Sequence, residues 1–261
     1  LVLITACPFP GLWNSYERTE HGSPSISSFM PCLNWLVEYF IFANYCLIIS
    51  LGKIMAKSIL QPLTFLSITV FTFLICWLLG VTVSENTLSI NGTSLIMKAM
   101  CISFLIHGVL FIPSYLFQTE KFYDLTGSVT YVTTLGYVVY EAYQLTGGLD
   151  IRTLVIAACI MIWTLRLGSF LFWRVLKDGE DKRFRSILPS FTQLLMTWAL
   201  SAAWVFIQSL SALVAITALT RVEFGVLGYI GLALWIFGFL FEVLADHQKT
   251  QFKANPANEG K

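Results

Sequence analysis

Charged residues are scarce in this chain of 261 residues. They make up 12% of it, against about 25% in soluble domains. Hydrophobic residues make up 56%, and the 16 basic and 15 acidic residues leave a net charge of only +1. No global positive field is therefore available to attract nucleic acid, and we expect no nucleic-acid partner. This composition predicts an integral membrane protein in contact with the bilayer.

Motifs of soluble enzymes are missing as well. The six cysteines are scattered without a short paired spacing, which argues against a zinc site or a disulfide framework, and no metal site is expected. The chain has no Gly-x-Gly-x-x-Gly fingerprint, no phosphate-binding Walker loop and no Gly-x-Ser-x-Gly elbow. A soluble type of cofactor fold is thereby excluded.

The first 31 residues differ from the rest. They carry four prolines among polar residues and lack the basic start of a signal peptide. We interpret residues 1–31 as an irregular tail and residues 32–261 as one multi-pass membrane domain. No internal repeat and no second soluble domain is visible.

Seven apolar runs are long enough to cross a bilayer, which takes about 20 helical residues. They are Leu33–Leu51, Leu60–Val83, Leu95–Phe117, Thr126–Leu145, Ile151–Leu176, Leu194–Leu219 and Phe224–Ala245. The predicted fold is an all-α bundle of about seven membrane helices.

Basic residues predict the orientation of these spans, because Lys and Arg of short loops accumulate on the cytoplasmic side. Placing Lys53 and Lys57 in the cytoplasm, and alternating from there, puts eleven basic residues on that side and four on the other, with Arg166 inside a span. The sequon Asn91-Gly92-Thr93 then lies in a lumenal loop, which favours the endoplasmic reticulum.

Arg166 interrupts the fifth predicted span, and a charge there is costly unless it is paired or hydrated. Phe170, Trp173 and Lys177 follow it on the same helix face and lead to the charged turn Lys177–Arg183. Arg166 either ties two helices together by an ion pair or forms part of a binding site. The turn is either a solvated membrane edge or the rim of that site.

The last predicted span ends in a charged stripe. Glu242, Asp246, Lys249 and Lys253 are spaced so that they lie on one helix face. Two acids followed by two bases suit an elongated ligand with hydroxyl or amide donors at one end and phosphates at the other. The alternative is a simple salt-bridged helix end in which Asp246 pairs with Lys249.

Other ionisable residues are weaker candidates. Tyr140, Glu141 and Tyr143 form an acid flanked by phenols, which could donate a proton, although tyrosines are also common at membrane interfaces. Glu38 and His107 are isolated in apolar runs, where a role in packing or pairing is the usual one.

Three segments carry a resemblance to a known family: KFYDLTGSVTY (121–131), WTLRLGSFLFWRVLKDGEDKRF (163–184) and FEVLADHQKTQFKANPANEGK (241–261). They resemble the uncharacterised multi-pass branch of the steroid 5-alpha-reductase superfamily, over about residues 121–261. The resemblance implies a membrane helix bundle that binds NADPH on its cytoplasmic side and a lipid-like substrate with an activated carbon–carbon double bond. Relatives continue past NEGK into further motifs, so we expect the domain to be incomplete at its C-terminus.

The resemblance also implies roles for particular residues. Glu242 and Asp246 match a polar residue and an aspartate that face the cofactor, and Lys249 and Lys253 would lie toward its phosphates. We assign Arg166 and, from the charged turn, Glu180, Asp181 and Arg183 to the same pocket. For the acid that stabilises the enolate during hydride transfer, the candidates are Glu38 and the pair Tyr140 and Glu141.

Two rival functions remain. The chain could be related to isoprenylcysteine carboxyl methyltransferases, which use S-adenosylmethionine in a similar bundle. It could also be a non-catalytic membrane scaffold, in which Arg166 and Glu242 only pair helices.

Overall fold

The computed structural model describes residues 60–178 and 181–254 of the chain. Within them lie six α-helices, a two-stranded hairpin and a short 3₁₀ helix. In chain order the elements are α1 (Leu60–Val83), β1 (Ser89–Ile90), β2 (Thr93–Ser94), α2 (Leu95–Leu116), α3 (Tyr123–Thr146), α4 (Ile151–Asp178), the 3₁₀ helix (Lys182–Ser186), α5 (Phe191–Thr217) and α6 (Val226–Ala254). The fold is a helical membrane bundle, as the sequence predicts. The predicted span Leu33–Leu51 and the tail 1–31 lie outside the described residues.

Five of these helices, α1, α2, α4, α5 and α6, are long and apolar enough to cross a membrane. Helix α3 has 24 residues but is less apolar, because threonine and tyrosine recur along it. It packs against α2, α4 and α5, which cover its polar side chains. Thr126, Thr130 and Thr134 are buried there. The hydroxyl group of each donates a hydrogen bond to the backbone carbonyl one turn earlier. Their polarity is satisfied within the helix, as an apolar surrounding requires.

The loops gather at two opposite ends of the bundle. At one end, the Asp181 backbone N–H donates to Glu120 across 3.0 Å, which joins the α2–α3 loop to the loop after α4. At the other end, Arg221 Nη1 donates to Asp150 Oδ2 at 3.0 Å, which joins the α5–α6 loop to the α3–α4 loop. Successive helices therefore run in alternating directions, which is the alternation that the predicted orientation assumes, and α4 and α6 run the same way.

The loop after α1 turns sharply. Asn91 and Gly92 have φ values of 55° and 75°, in the left-handed region that an Asn-Gly pair adopts readily in two-residue hairpins. Ser89 pairs with Ser94, and Ile90 with Thr93. The hairpin tip is exposed, at the same end of the bundle as Asp150 and Arg221, because the backbone N–H of Leu88 donates to Thr217 at the end of α5.

Contacts between α2 and α5 form the centre of the bundle. Ser103 Oγ donates to the Ala202 carbonyl at 2.8 Å, and His107 Nε2 lies 3.1 Å from Ser201 Oγ. Ala202 and Ala203 are buried where the two helices approach. Small residues and hydrogen bonds are what hold membrane helices together, since lipid offers little hydrophobic drive for helices to associate.

Helices α3 and α4 also approach closely. A Cβ atom added at Gly168 would lie 2.3 Å from Ser128 Oγ and 2.7 Å from Ser128 Cβ. No side chain larger than hydrogen fits between the two helices at this point. Gly168 thus fixes the distance at which α4, and with it Arg166, lies from the centre of the bundle.

Candidate functional site

Arg166 joins α4 to α6. Its Nη1 donates to Glu242 Oε1 at 2.7 Å, and its Nη2 lies 2.6 Å from Asp246 Oδ2. The three side chains are 20%, 37% and 25% exposed, so the cluster is neither sealed nor fully solvated. The structure brings together three of the eight residues that were predicted to share a cofactor pocket. We call Arg166, Glu242 and Asp246 the acid–base cluster.

Helix geometry explains why one guanidinium reaches both acids. Glu242 and Asp246 are four residues apart, so their side chains lie one above the other on the face of α6. The planar guanidinium presents several N–H donors in a fixed fork, and two of its nitrogens here meet two carboxylates. The Arg166 guanidinium carbon also lies 5.4 Å from the centre of the Phe170 ring. Asp246 pairs with Arg166 and not with Lys249, which is the other pairing that the sequence allowed.

Among the described residues, one carboxylate oxygen of the cluster has no partner. Glu242 uses both of its oxygens, because Oε2 accepts from the indole N–H of Trp163 at 3.1 Å. Asp246 Oδ1 has no partner within the described residues. A ligand that donates a hydrogen bond can therefore bind Asp246 without breaking a bond inside the protein, whereas Glu242 serves to orient Arg166.

Trp163 and Tyr131 extend the cluster toward the centre of the bundle, and sequence reasoning missed both. Trp163 lies one turn before Arg166 on α4, a spacing that places it on the same face. The Tyr131 ring meets it edge to face with centroids 5.4 Å apart. The Tyr131 hydroxyl donates to Gln208 Oε1 on α5. A continuous contact path thus leads from α5 through α3 and α4 to α6.

The charged turn forms a second group near the end of α4. Asp181 accepts hydrogen bonds from the Arg183 backbone N–H at 3.0 Å and from its guanidinium. These side-chain bonds, before any other influence, hold the pKa of Asp181 below its usual range. Glu120, almost fully buried, accepts from the Asp181 backbone, and Arg174 reaches Asp124 at 3.5 Å. The turn is held in place by these bonds, and we call it the charged rim. The side chain of Arg183 is 63% exposed.

Several predicted site residues lie apart from these two groups, and others lie outside the described residues. Lys249 is exposed on α6, three residues beyond Asp246. The backbone of Lys253 belongs to the same helix, but its side chain lies outside the described residues, as do Glu38 and Glu180.

Tyr140 and Glu141 are not brought to the acid–base cluster. Tyr140 is 59% exposed on α3. Glu141 lies ten residues beyond Tyr131, which corresponds to about 15 Å along the helix axis toward the opposite end of the bundle. Tyr131 is the tyrosine of α3 that contacts the cluster's surroundings.

His107 is buried and hydrogen-bonded at both ring nitrogens. Nδ1 lies 2.9 Å from the Ser103 carbonyl oxygen, and Nε2 contacts Ser201. This arrangement agrees with a role in packing. Among the described residues, no three His, Cys, Asp or Glu side chains are grouped so that they could hold a metal ion.

Comparison with known proteins gives one match. A family model described as a protein of unknown function (DUF1295) matches residues 110–261. No curated protein and no solved structure matches the chain. The matched region, more than half of the chain, contains the whole acid–base cluster, together with Trp163, Tyr131 and the charged rim.

Proposed function

This chain belongs to the DUF1295 family, and from its motifs and its acid–base cluster we propose that it is an NADPH-dependent membrane oxidoreductase. The proposed reaction is the reduction of an activated carbon–carbon double bond in a lipid or sterol-like substrate. The resemblance of residues 121–261 to the steroid 5-alpha-reductase superfamily supports this assignment. The exposed sequon at the hairpin tip favours the endoplasmic reticulum as its location.

One observation carries the proposal: Arg166 holds Asp246 through one oxygen, and the other oxygen has no partner among the described residues. A carboxylate fixed in this way is an acceptor ready for a hydroxyl or amide donor of a ligand. Because Asp246 needs no rearrangement to accept it, little ordering is required on binding. The partial exposure of the cluster leaves such a ligand a way in.

The charges around the cluster fit the two ends of NADPH. Lys249 follows Asp246 on α6, while Arg174 and Lys177 follow Arg166 on α4. Since α4 and α6 run the same way, the bases of both helices lie on one side of the acids, at the predicted cytoplasmic end. Carboxylates there suit ribose or carboxamide donors, and the bases suit phosphates. NADPH would supply the hydride equivalent for the reduction.

The sequence offers three candidates for the acid that stabilises the enolate oxygen of the substrate. They are Glu38, Tyr140 and Glu141. The structure adds Tyr131, whose ring contacts Trp163 beside the cluster. Its hydroxyl proton is directed at Gln208. We propose that the hydroxyl of Tyr131 is the acid for the substrate oxygen, because Tyr140 and Glu141 lie about three helical turns away from Tyr131 along α3.

The experiment is a cofactor-binding measurement on the purified full chain in detergent. NADPH, NADH and S-adenosylmethionine are each added, and the melting temperature and the quenching of tryptophan fluorescence are recorded. We expect stabilisation by NADPH, which follows from binding to the folded state alone. Asp246→Asn replaces a charged acceptor by an amide and lowers the NADPH affinity by about tenfold or more, the equivalent of about 1.4 kcal/mol.

Gln248→Ala is the matched control, because Gln248 is exposed on the same helix, two residues further on. It leaves the NADPH response unchanged. A chain that melts at the same temperature with and without NADPH contradicts the proposal. Stabilisation by S-adenosylmethionine alone would point to the methyltransferase-like alternative.

A second function, a non-catalytic scaffold, is favoured by a different observation. Arg166 has its charge matched inside the protein by Glu242 and Asp246, so the cluster can stabilise the contact between α4 and α6 without any ligand. Neutralising all three residues together separates the two functions. A scaffold keeps its fold and its partners after that change, whereas the oxidoreductase folds but no longer binds NADPH.

A further inference from the structure

A cavity of about 310 Å³ is lined by helices that do not carry the acid–base cluster. It is built by α1, α2 and α5, whereas the cluster is built by α4 and α6, so no helix contributes to both. Helix α3 packs against α2 and α5, which line the cavity, and against α4, which carries Arg166. The cavity is therefore a separate feature of the molecule, and it does not depend on the function proposed above.

The walls of the cavity are hydrocarbon. Phe73, Phe104, Phe111 and Trp198 supply ring carbons, and Val70 and Leu74 supply aliphatic groups. Three residues of the lining carry polar side-chain atoms, and the indole N–H of Trp198 is buried without a hydrogen-bond partner among the described residues. The polar atoms of the other two are occupied. Thr69 donates to the Phe65 carbonyl at 2.9 Å, and His107 is bonded at both nitrogens. An occupant thus meets carbon atoms and gains from dispersion contacts.

The mouth of the cavity is continuous with the lipid-facing surface. Val70 and Leu74 on α1 line the cavity and are also 58% and 55% exposed. Helix α1 is one of the apolar spans, and only Cys76 and Gly80 of its 24 residues are buried in the described part of the chain. No described residue covers Val70 or Leu74 fully, so the hydrocarbon layer around this span, about 30 Å thick, is the nearest source of molecules that can enter.

We propose that this cavity binds a single hydrocarbon chain of a membrane lipid. Its volume lies at the lower end of the range of about 300–1,000 Å³ for ligand pockets, which suits one chain better than a two-chain lipid. A void in a packed interior forfeits the contacts of its lining atoms, and an inserted chain restores them. The chain can belong to a phospholipid or to a free fatty acid, because both present the same hydrocarbon to the walls.

Gly108 offers a way to fill the cavity without disturbing the fold. It lines the cavity on α2, and a Cβ atom added there meets nothing within 4 Å. Gly108→Leu therefore places a side chain into open space and removes a helix-weakening glycine. Gly136→Leu is the matched control, since Gly136 is an exposed glycine within α3 that also has open space and does not line the cavity.

The experiment uses the full chain in phosphatidylcholine vesicles that contain a small fraction of phosphatidylcholine with a diazirine near the end of one acyl chain. After irradiation, labelled peptides are identified by mass spectrometry. Labelling of peptides with Phe104 and Trp198 is compared with labelling of Leu63, an exposed residue of α1 outside the cavity lining, which reports ordinary lipid contact. A second arm uses the free diazirine fatty acid and distinguishes the two sources of the chain.

In the wild type we expect labelling at Phe104 and Trp198. Gly108→Leu lowers it relative to Leu63 by about fivefold or more, because the leucine occupies the volume that the chain needs. Gly136→Leu leaves it unchanged. Should Gly108→Leu fail to fold, Ala199→Leu, which fills the cavity from α5, takes its place. No cavity labelling in the wild type, or labelling that neither filling variant reduces, overturns the proposal.

Discussion

The ring of Tyr131 on α3 meets the ring of Trp163 on α4 edge to face, with centroids 5.4 Å apart, and Trp163 in turn donates its indole N–H to Glu242 on α6. Because Tyr131 also donates to Gln208 on α5, four helices are linked by three consecutive side-chain contacts. Edge-to-face aromatic contacts add about 0.5–1.5 kcal/mol to what burial alone gives. The acid–base cluster is thus attached to the centre of the bundle and is not an isolated surface pair.

Arg166→Gln should destabilise the protein. Without the cation, Glu242 and Asp246 face each other as two carboxylates in a partly water-free environment. We expect a loss of about 1–3 kcal/mol in the free energy of unfolding, between the values for exposed and buried ion pairs. The measurement is the denaturation midpoint of the purified chain.

The triple variant Arg166→Gln, Glu242→Gln, Asp246→Asn tests the cause. It removes the repulsion together with the cation, so most of the lost stability should return. A triple variant that is as unstable as Arg166→Gln alone would show that the stabilisation does not come from charge pairing.

Gly168→Ala should also destabilise, for a steric reason. The added methyl group would lie within 2.7 Å of two Ser128 atoms, so α3 and α4 have to separate. Overpacking of this kind costs about 1–3 kcal/mol. Gly136→Ala is the control: its Cβ meets nothing within 4 Å, and the better helix propensity of alanine should stabilise α3 by up to about 1 kcal/mol. Thermal unfolding of the two variants should shift in opposite directions.

Asp181 should make the stability pH-dependent at acid pH. The Arg183 hydrogen bonds hold the pKa of Asp181 below its usual range, so the ionised form is favoured in the folded state. The contribution of ionised Asp181 to the free energy of unfolding is fully present above the pKa of the unfolded state, about 3.9. It is lost as the pH falls through the pKa of the folded state. The difference in melting temperature between wild type and Asp181→Asn should be constant above about pH 5, begin to shrink near the unfolded pKa of about 3.9, and vanish only below the folded pKa.

Glu223→Gln serves as the control for that titration, because Glu223 is an exposed carboxylate in the α5–α6 loop. Its melting temperature should follow the wild type throughout. If Asp181→Asn and wild type stay equally far apart down to the lowest pH at which both fold, Asp181 does not contribute through its charge.

Asn91 should carry an N-linked glycan when the chain is expressed in eukaryotic cells. It lies at the exposed tip of the hairpin and, in the predicted orientation, on the lumenal side. Asn91→Gln and Thr93→Ala each destroy the sequon and should remove a gel shift that is sensitive to peptide N-glycosidase. Asn86→Gln, a change in the same loop outside the sequon, keeps the shift. An unglycosylated wild type contradicts this prediction.

Apolar runs predicted most of the described fold. The run Leu60–Val83 coincides with α1, and the other runs within the described residues agree with their helices to within three residues, except at the C-terminal end of α6. That helix continues to Ala254, nine residues beyond the predicted Ala245, because hydropathy marks where the apolar layer ends and not where the helix ends. The four-residue spacing of Glu242 and Asp246 correctly predicted that both side chains lie on one face of α6.

Contacts between helices could not be predicted from the sequence. Nothing in the spacing of α3 indicated that Tyr131, rather than Tyr140, would face Trp163, because the tyrosines of this helix lie on several faces and the choice depends on how α3 packs against its neighbours. The free oxygen of Asp246 likewise depends on which of two nearby bases binds it. Such pairings are decided by tertiary packing, which a single sequence does not encode locally.

The bond between His107 and Ser201 has a consequence for how the protein is made. The two residues are 94 positions apart, so at about 5–20 residues per second His107 leaves the ribosome roughly 5–20 s before its partner exists. During that interval α2 enters the membrane with a polar ring whose Nε2 has no permanent partner. Until α5 arrives, either water or another part of a protein pairs with this nitrogen, or α2 bears the cost of leaving it unpaired.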